Sequence, residues 1–158
     1  MLSRFFLFAC IAASLTSCGP EYLYSEEKKI ENGQWAYRDT MDFSFTVTDT
    51  SQFYNLFADF EYVDTFPMQN VYLRLYTRFP DGKRSARVRS FDLFDAQGKT
   101  TGKCSGHTCT TRFTLQDKAY FNLPGTYTIT LEQFTRRDPL PGISMAALAV
   151  EKTGEKRK

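Results

Sequence analysis

From residue 41 onward the chain alternates between apolar and polar positions. Met41, Phe43, Phe45 and Val47 are separated by Asp42, Ser44, Thr46 and Thr48, and a period of two with one apolar face is the pattern of a half-buried strand. In Phe53 to Val63, Tyr54, Leu56, Ala58, Phe60 and Tyr62 share one face while Phe53 and Phe57 take the other. Gln52 to Phe60 also fits a helical stripe through Phe53, Leu56, Phe57 and Phe60. The aromatic content and the lack of a cap signal favour the strand.

Val71, Leu73 and Leu75 then alternate with Tyr72, Arg74, Tyr76 and Arg78, and Pro80-Asp81-Gly82 turns the chain back. Proline presets φ and glycine accepts a positive φ, so a hairpin is expected. Its returning strand is Ser85 to Phe94, where Val88 has the opposite parity to Phe91 and Leu93; a bulge would reconcile them. Thr108 to Leu115 aligns Cys109, Thr111, Phe113 and Leu115, and Asp117 to Asn122 reads as a connection. Thr126 to Gln133 sends Tyr127, Ile129 and Leu131 inward and Thr126, Thr128 and Thr130 outward. Ile143 to Val150 is the last strand. Seven to eight strands with turn signals between them predict an all-β antiparallel sandwich, immunoglobulin-like or jelly-roll-like.

The first residues follow another rule. Met1 and Arg4 precede an apolar run from Phe5 to Leu15 that closes on Thr16, Ser17 and Cys18. The run is too short to cross about 30 Å of hydrocarbon and suits the apolar region of an export signal. Leu15-Thr16-Ser17-Cys18 resembles the lipobox of bacterial lipoproteins, which implies a diacylglyceryl thioether on Cys18, cleavage before it, and a bilayer as partner through the palmitate-type chains. Gly19 in place of an aspartate resembles lipoproteins sent onward to the outer membrane, so that membrane is expected before the inner one and its periplasmic face before the cell surface. Residues 18–34 are mostly polar and read as the lipidated cysteine and a tether, either wholly free or docked on the domain through Tyr22, Leu23 and Tyr24. The expected division is thus 1–17 signal peptide, 18–34 tether, 35–150 sandwich and 151–158 a charged, frayed tail.

Composition narrows the function classes. Twenty Lys and Arg stand against 18 Asp and Glu, a formal net charge of +2, and loss of Arg4 with the signal brings it nearer neutrality. A nucleic-acid binder needs a large basic excess. Aromatic residues make up 16% of the chain, which again favours strands. Of four cysteines, Cys10 leaves with the signal and Cys18 carries lipid. Cys104 and Cys109 remain, and in an exported protein they point to a disulfide across a hairpin neck.

Few residues suggest catalysis. The single histidine, His107, lies between Cys104 and Cys109; as metal ligands these three lack the fourth that structural zinc requires. The same histidine, in a turn between two bonded cysteines, is poorly placed as the base of a triad. Asp59 with Glu61, or Asp92 with Asp95, are carboxylate pairs that an enzyme would have to bring together in a cleft. No enzyme, cofactor or metal is expected. Tyr72, Arg74, Tyr76 and Arg78, with Arg87 and Arg89 on the partner strand, form either a basic, aromatic face for a glycan or the ordinary polar exterior of a sandwich.

Taken in order, the lipobox, Trp35, Phe43-x-Phe45-x-Val47-x-Asp49, Asn70-Val71-Tyr72-Leu73, Pro80-Asp81-Gly82, Leu93-x-Asp95-x-x-Gly98-Lys99, Gly125-x-Tyr127-x-Ile129-x-Leu131-Glu132-Gln133 and Leu140-x-Gly142-Ile143 resemble the gliding-motility lipoproteins of the GldH type from Bacteroidota. Where that pattern has Gly-x-Trp-x-Gly this chain has Gly98-Lys99-Thr100-Thr101-Gly102, and the cysteine pair is an addition. The resemblance implies a non-catalytic envelope lipoprotein whose partners are envelope proteins of the gliding apparatus or of the type IX secretion machinery associated with it. It brings no catalytic residue.

Overall fold

A computed structural model describes residues 19–157. Cys18 and the signal segment fall outside the described residues. The strands are β1 (Glu21–Lys29), β2 (Gln34–Trp35), β3 (Met41–Val47), β4 (Gln52–Val63), β5 (Asn70–Arg78), β6 (Arg84–Asp92), β7 (Lys103–Ser105), β8 (Thr108–Ala119), β9 (Gly125–Gln133), β10 (Leu140–Pro141) and β11 (Ile143–Lys156). Eight are long; β2, β7 and β10 are short. One sheet runs β1-β11-β4-β8-β7, the facing sheet runs β3-β9-β5-β6, and β2 pairs with β10 as a clip. All pairings are antiparallel, as a sandwich requires.

The period of two decides which side chains meet between the sheets. Phe43, Phe45 and Val47 are buried while Asp42, Ser44 and Thr46 are exposed, because successive side chains leave a strand on opposite faces. β4 settles the choice between helix and strand: Tyr54, Leu56, Ala58, Phe60 and Tyr62 are all buried, and Phe53 and Phe57 lie half-exposed on its other face. Aromatic rings fill the layer between. Phe45, Phe121 and Tyr127 pack at one end, with Phe121 and Tyr127 centroids 4.6 Å apart, and Phe60, Phe91 and Phe113 further along, with Phe91 and Phe113 at 5.1 Å.

The ends of the chain differ from the expectation. The segment expected as a tether is mostly β1, paired with β11 from Glu21↔Lys152 to Lys29↔Met145. It is polar because it is an edge strand with one face in water, so it lacks a long apolar run. A bulge between Tyr22 and Tyr24 sends Tyr24 onto Phe45, 5.6 Å between centroids. The expected frayed tail continues β11, with Lys152 opposite Tyr54 and Lys156 opposite Gln52. Charge at an edge or a sheet end reads like a loop in sequence, yet strands carry it there.

Two interior details also differ. No bulge separates β6 from β5, whose register runs unbroken from Asn70↔Asp92 to Arg78↔Arg84; Val88 simply faces outward and is 50% exposed, as single surface apolar residues often are. The irregularity falls instead between β4 and β8, where register shifts near Leu56 and Lys118 takes a φ of 46°. That shift lets β8 run to a buried Ala119, past the point where the connection was expected. Gly125 then opens β9 at a φ of 128°, and a Cβ there would lie 2.9 Å from that of Pro80.

The connections define two poles. The 48–51, 79–83 and 120–124 loops gather at the end where β1 begins and β11 finishes. The 36–40, 64–69, 93–102, 106–107 and 134–139 loops lie at the other, about 35–40 Å away for a twelve-residue strand such as β4.

Candidate functional site

The row Tyr72, Arg74, Tyr76 and Arg78 lies on the outer face of β5, as its parity predicts. Tyr72 is 44% exposed. Arg74 is held from three sides: its guanidinium stacks 3.9 Å from the Phe134 ring centroid, one nitrogen is 3.4 Å from Glu132, and it donates to the Tyr76 hydroxyl at 3.2 Å. Tyr76 donates in turn to Glu132 at 2.8 Å. The Tyr76 hydroxyl, and then Glu132, push the Arg74 pKa above its ordinary value, so its charge is fixed. Arg78 reaches Thr128 at 3.4 Å.

The partner-strand arginines do not join this face. Arg87 pairs with Leu75 and Arg89 with Leu73, so both share the inward parity of those leucines; Arg84, opposite Arg78, is the one that lies outside. The outer face is therefore less basic than expected. Near Arg78 and Arg84 it holds a shallow cavity of about 290 Å³ that also includes Asp42 and Tyr76.

The row runs toward the pole opposite the start of β1. There Phe134, 43% exposed, donates its backbone N–H to the Tyr72 carbonyl at 2.7 Å. Tyr37 hydrogen-bonds the Thr135 carbonyl through its hydroxyl and takes Asp138 on its backbone N–H at 2.9 Å. Gln133, fully buried, braces the loop: its side-chain oxygen accepts from the Thr135 hydroxyl at 2.7 Å and its nitrogen donates to the Arg137 carbonyl at 3.0 Å. Tyr37, Tyr72 and Phe134 thus stand exposed on backbone that is held in place. Period-two reading missed Tyr37 and Phe134 because both lie in loops, where parity carries no information.

Cys104 and Cys109 are bonded and sit opposite each other in the β7–β8 hairpin. Both thiols are consumed, so Cys104, His107 and Cys109 make no metal triad. His107 instead meets Asp64, Nδ1 to Oδ2 at 2.9 Å, and its carbonyl accepts the Asp64 N–H at 2.9 Å. The hairpin tip is thereby fastened to the β4–β5 loop.

The carboxylate pairs are engaged separately. Asp59 binds Arg112 through two bonds of 2.7 Å, and Arg112 also donates to Tyr22 at 2.9 Å. These partners, Asp59 before Tyr22, raise the arginine's pKa and keep it charged. Glu61 accepts the Ser144 hydroxyl at 2.6 Å, and Asp95 accepts the N–H groups of Gln97 and Lys99 at 2.9 Å in a turn. Asp92 lies exposed at the end of β6.

Residues 22–150 match the family model described as GldH lipoprotein. The chain belongs to the GldH lipoprotein family. A relative described as a gliding motility lipoprotein GldH homolog, from Christiangramia forsetii, is 21% identical over 155 residues, covering 94% of each chain. Membership makes this a gliding-motility-associated lipoprotein. Among solved structures, dimeric latent PorU from Porphyromonas gingivalis aligns with 86% of this GldH-family chain at 10% identity and a TM-score of 0.33, and the aligned part is 14% of that chain.

Proposed function

We propose that the protein is anchored to the envelope through acylated Cys18 and supports gliding, or the secretion machinery associated with it, by protein contacts at the pole remote from the anchor, without catalysing a reaction. The observation that carries this reading is the exposed group Tyr37, Tyr72 and Phe134, with Arg74 stacked on Phe134, on a braced loop of that pole. Aromatic and arginine side chains are the residue types enriched at the centres of protein interfaces. β1 begins only three residues after Cys18, so the lower pole stays within about 11 Å of the acylated cysteine. The aromatic group would then stand well clear of the headgroups, where another envelope protein can reach it.

The test is affinity purification from gently cross-linked envelopes of wild type, Cys18→Ala and Tyr72→Ala/Phe134→Ala. Recovery of motility or secretion components by the wild type, lost in both variants while the fold persists, is the expected result. Equal recovery by the pole variant would overturn the assignment of the surface. Retention of Cys18→Ala in the outer membrane at wild-type levels would overturn the anchor.

A second reading, glycan recognition, is favoured by the cavity of about 290 Å³ beside Asp42, Tyr76, Arg78 and Arg84. Binding of soluble envelope oligosaccharides that Arg78→Ala weakens at least tenfold would support it, and silence across a glycan array would remove it.

A further inference from the structure

The arginines that turned inward line a different feature. β6 is the edge of its sheet, and after Phe91 its inward positions are Arg89, Arg87 and Ser85. β8, the strand across the gap, offers Leu115 and Ala119, and β6 has no apolar side chain there to meet them. The two sheets therefore stay apart at this edge. What remains is a trough of about 340 Å³ whose floor is the half-buried Leu75 and the buried core side chains Phe45, Leu56, Ile129 and Phe121. A second hollow of about 280 Å³ shares Phe79 and Phe121 with it and leads on to Leu123 and Lys83 at the pole where β1 begins.

Arg87 and Arg89 both line this trough. Among the described residues neither has a carboxylate within ion-pair distance; Arg89 donates only to the Leu115 carbonyl across the gap, at 3.4 Å. Inward charges on an edge strand deter pairing with another strand. That role accounts for cations at the edge but not for the apolar-floored hollow beneath them.

We propose that the trough binds a long-chain fatty acid, its carboxylate between Arg87 and Arg89 and its alkyl chain along the floor toward Phe121 and Leu123. The volume is at the low end of small-molecule sites, about 300–1,000 Å³, which suits one chain. Each methylene transferred from water contributes about 0.8 kcal/mol. Guanidinium groups bind a carboxylate through paired charge-assisted hydrogen bonds, and the positive rim selects an anionic head over a neutral or cationic one. The lower hollow opens at the anchor-side pole, so the bilayer supplies the ligand; in this respect alone the inference rests on the anchoring reading.

The experiment uses the full lipoprotein in isolated envelopes, a diazirine-bearing palmitate analogue, irradiation and peptide mapping. Adducts are expected on the segments 79–89 and 113–123, suppressed by excess palmitate at concentrations at least tenfold below those needed with hexadecanol. Arg87→Glu/Arg89→Glu is expected to cut the yield at least tenfold, with the exposed pair Arg38→Glu/Arg136→Glu, at the other pole, as the charge-matched control that leaves it unchanged. Protease resistance and an intact Cys104–Cys109 peptide report that the variants fold. Adducts elsewhere, equal suppression by hexadecanol, or an unchanged yield in the arginine variant would overturn the site. Suppression by lysophosphatidylglycerol at tenfold lower concentration than palmitate would overturn the fatty acid in favour of a phospholipid. A chain that stays with the envelope but takes no adduct would overturn the trough and leave the anchor standing, whereas a chain that washes free would overturn the anchor and the bilayer as source.

Discussion

Tyr127 ties together two levels of the structure with one hydroxyl. Its ring packs within the aromatic layer against Phe45 and Phe121, while its oxygen donates to the Leu123 carbonyl at 2.8 Å and holds the crossing from β8 to β9. Tyr127→Phe keeps the ring and strands that carbonyl, so a loss of about 1–2 kcal/mol is expected, read from urea unfolding as a lower midpoint with an unchanged slope. Asp81 acts in a turn by charge. The Lys83 ammonium, 3.0 Å away, and then the Lys83 N–H at 3.1 Å hold its carboxyl below the usual aspartate range. Because the folded pKa is the lower one, the carboxylate stabilises the hairpin above the unfolded value near 4, and the effect fades as pH falls through the folded value. Wild type should therefore lose more melting temperature than Asp81→Asn between pH 5 and 2.5, and the two should run parallel between pH 5 and 8. Parallel curves throughout would show that the pair contributes nothing.

At the scale of elements, pattern reading succeeds where a strand has one wet and one dry face. β3, β5 and β9 each carry their apolar residues on one parity; β3 and β9 bury it, and β5 buries Val71 and Leu73 and leaves Leu75 half-buried at the trough. It fails where burial is incomplete. β1 has water on one face and a free edge, so its Ser25-Glu26-Glu27-Lys28-Lys29 reads as loop although every one of these residues pairs with β11. Deleting residues 21–29 should accordingly lower the melting temperature by at least 10 °C, because Phe45 would lose the ring of Tyr24 and β11 its strand partner; a tether would be removed without effect. The disulfide is the opposite case, a local constraint legible from two cysteines five residues apart. Closing so short a loop contributes about 2 kcal/mol, so Cys104→Ser/Cys109→Ser should unfold at lower denaturant yet keep its strand content by circular dichroism.

For the whole molecule, the architecture was legible and the two surfaces of interest only in part. The sandwich followed from periodicity and the family from the order of motifs. Tyr72 to Arg78 were placed on the correct face, but the sequence carries no sign of which arginines on a partner strand share it until the register is known. One residue of shift moves Arg87 and Arg89 from one face of the sheet to the other, and that parity places these exposed arginines on the rim of a trough. The sandwich also sets an order of events. Among the described residues, β1 is the first strand in chain order and has β11, the last, as its only strand neighbour. Its sheet cannot close until β11 has followed the other strands across the membrane. If Cys18 is acylated as proposed above, the strand that follows it would thus stay unpaired until that final seam closes.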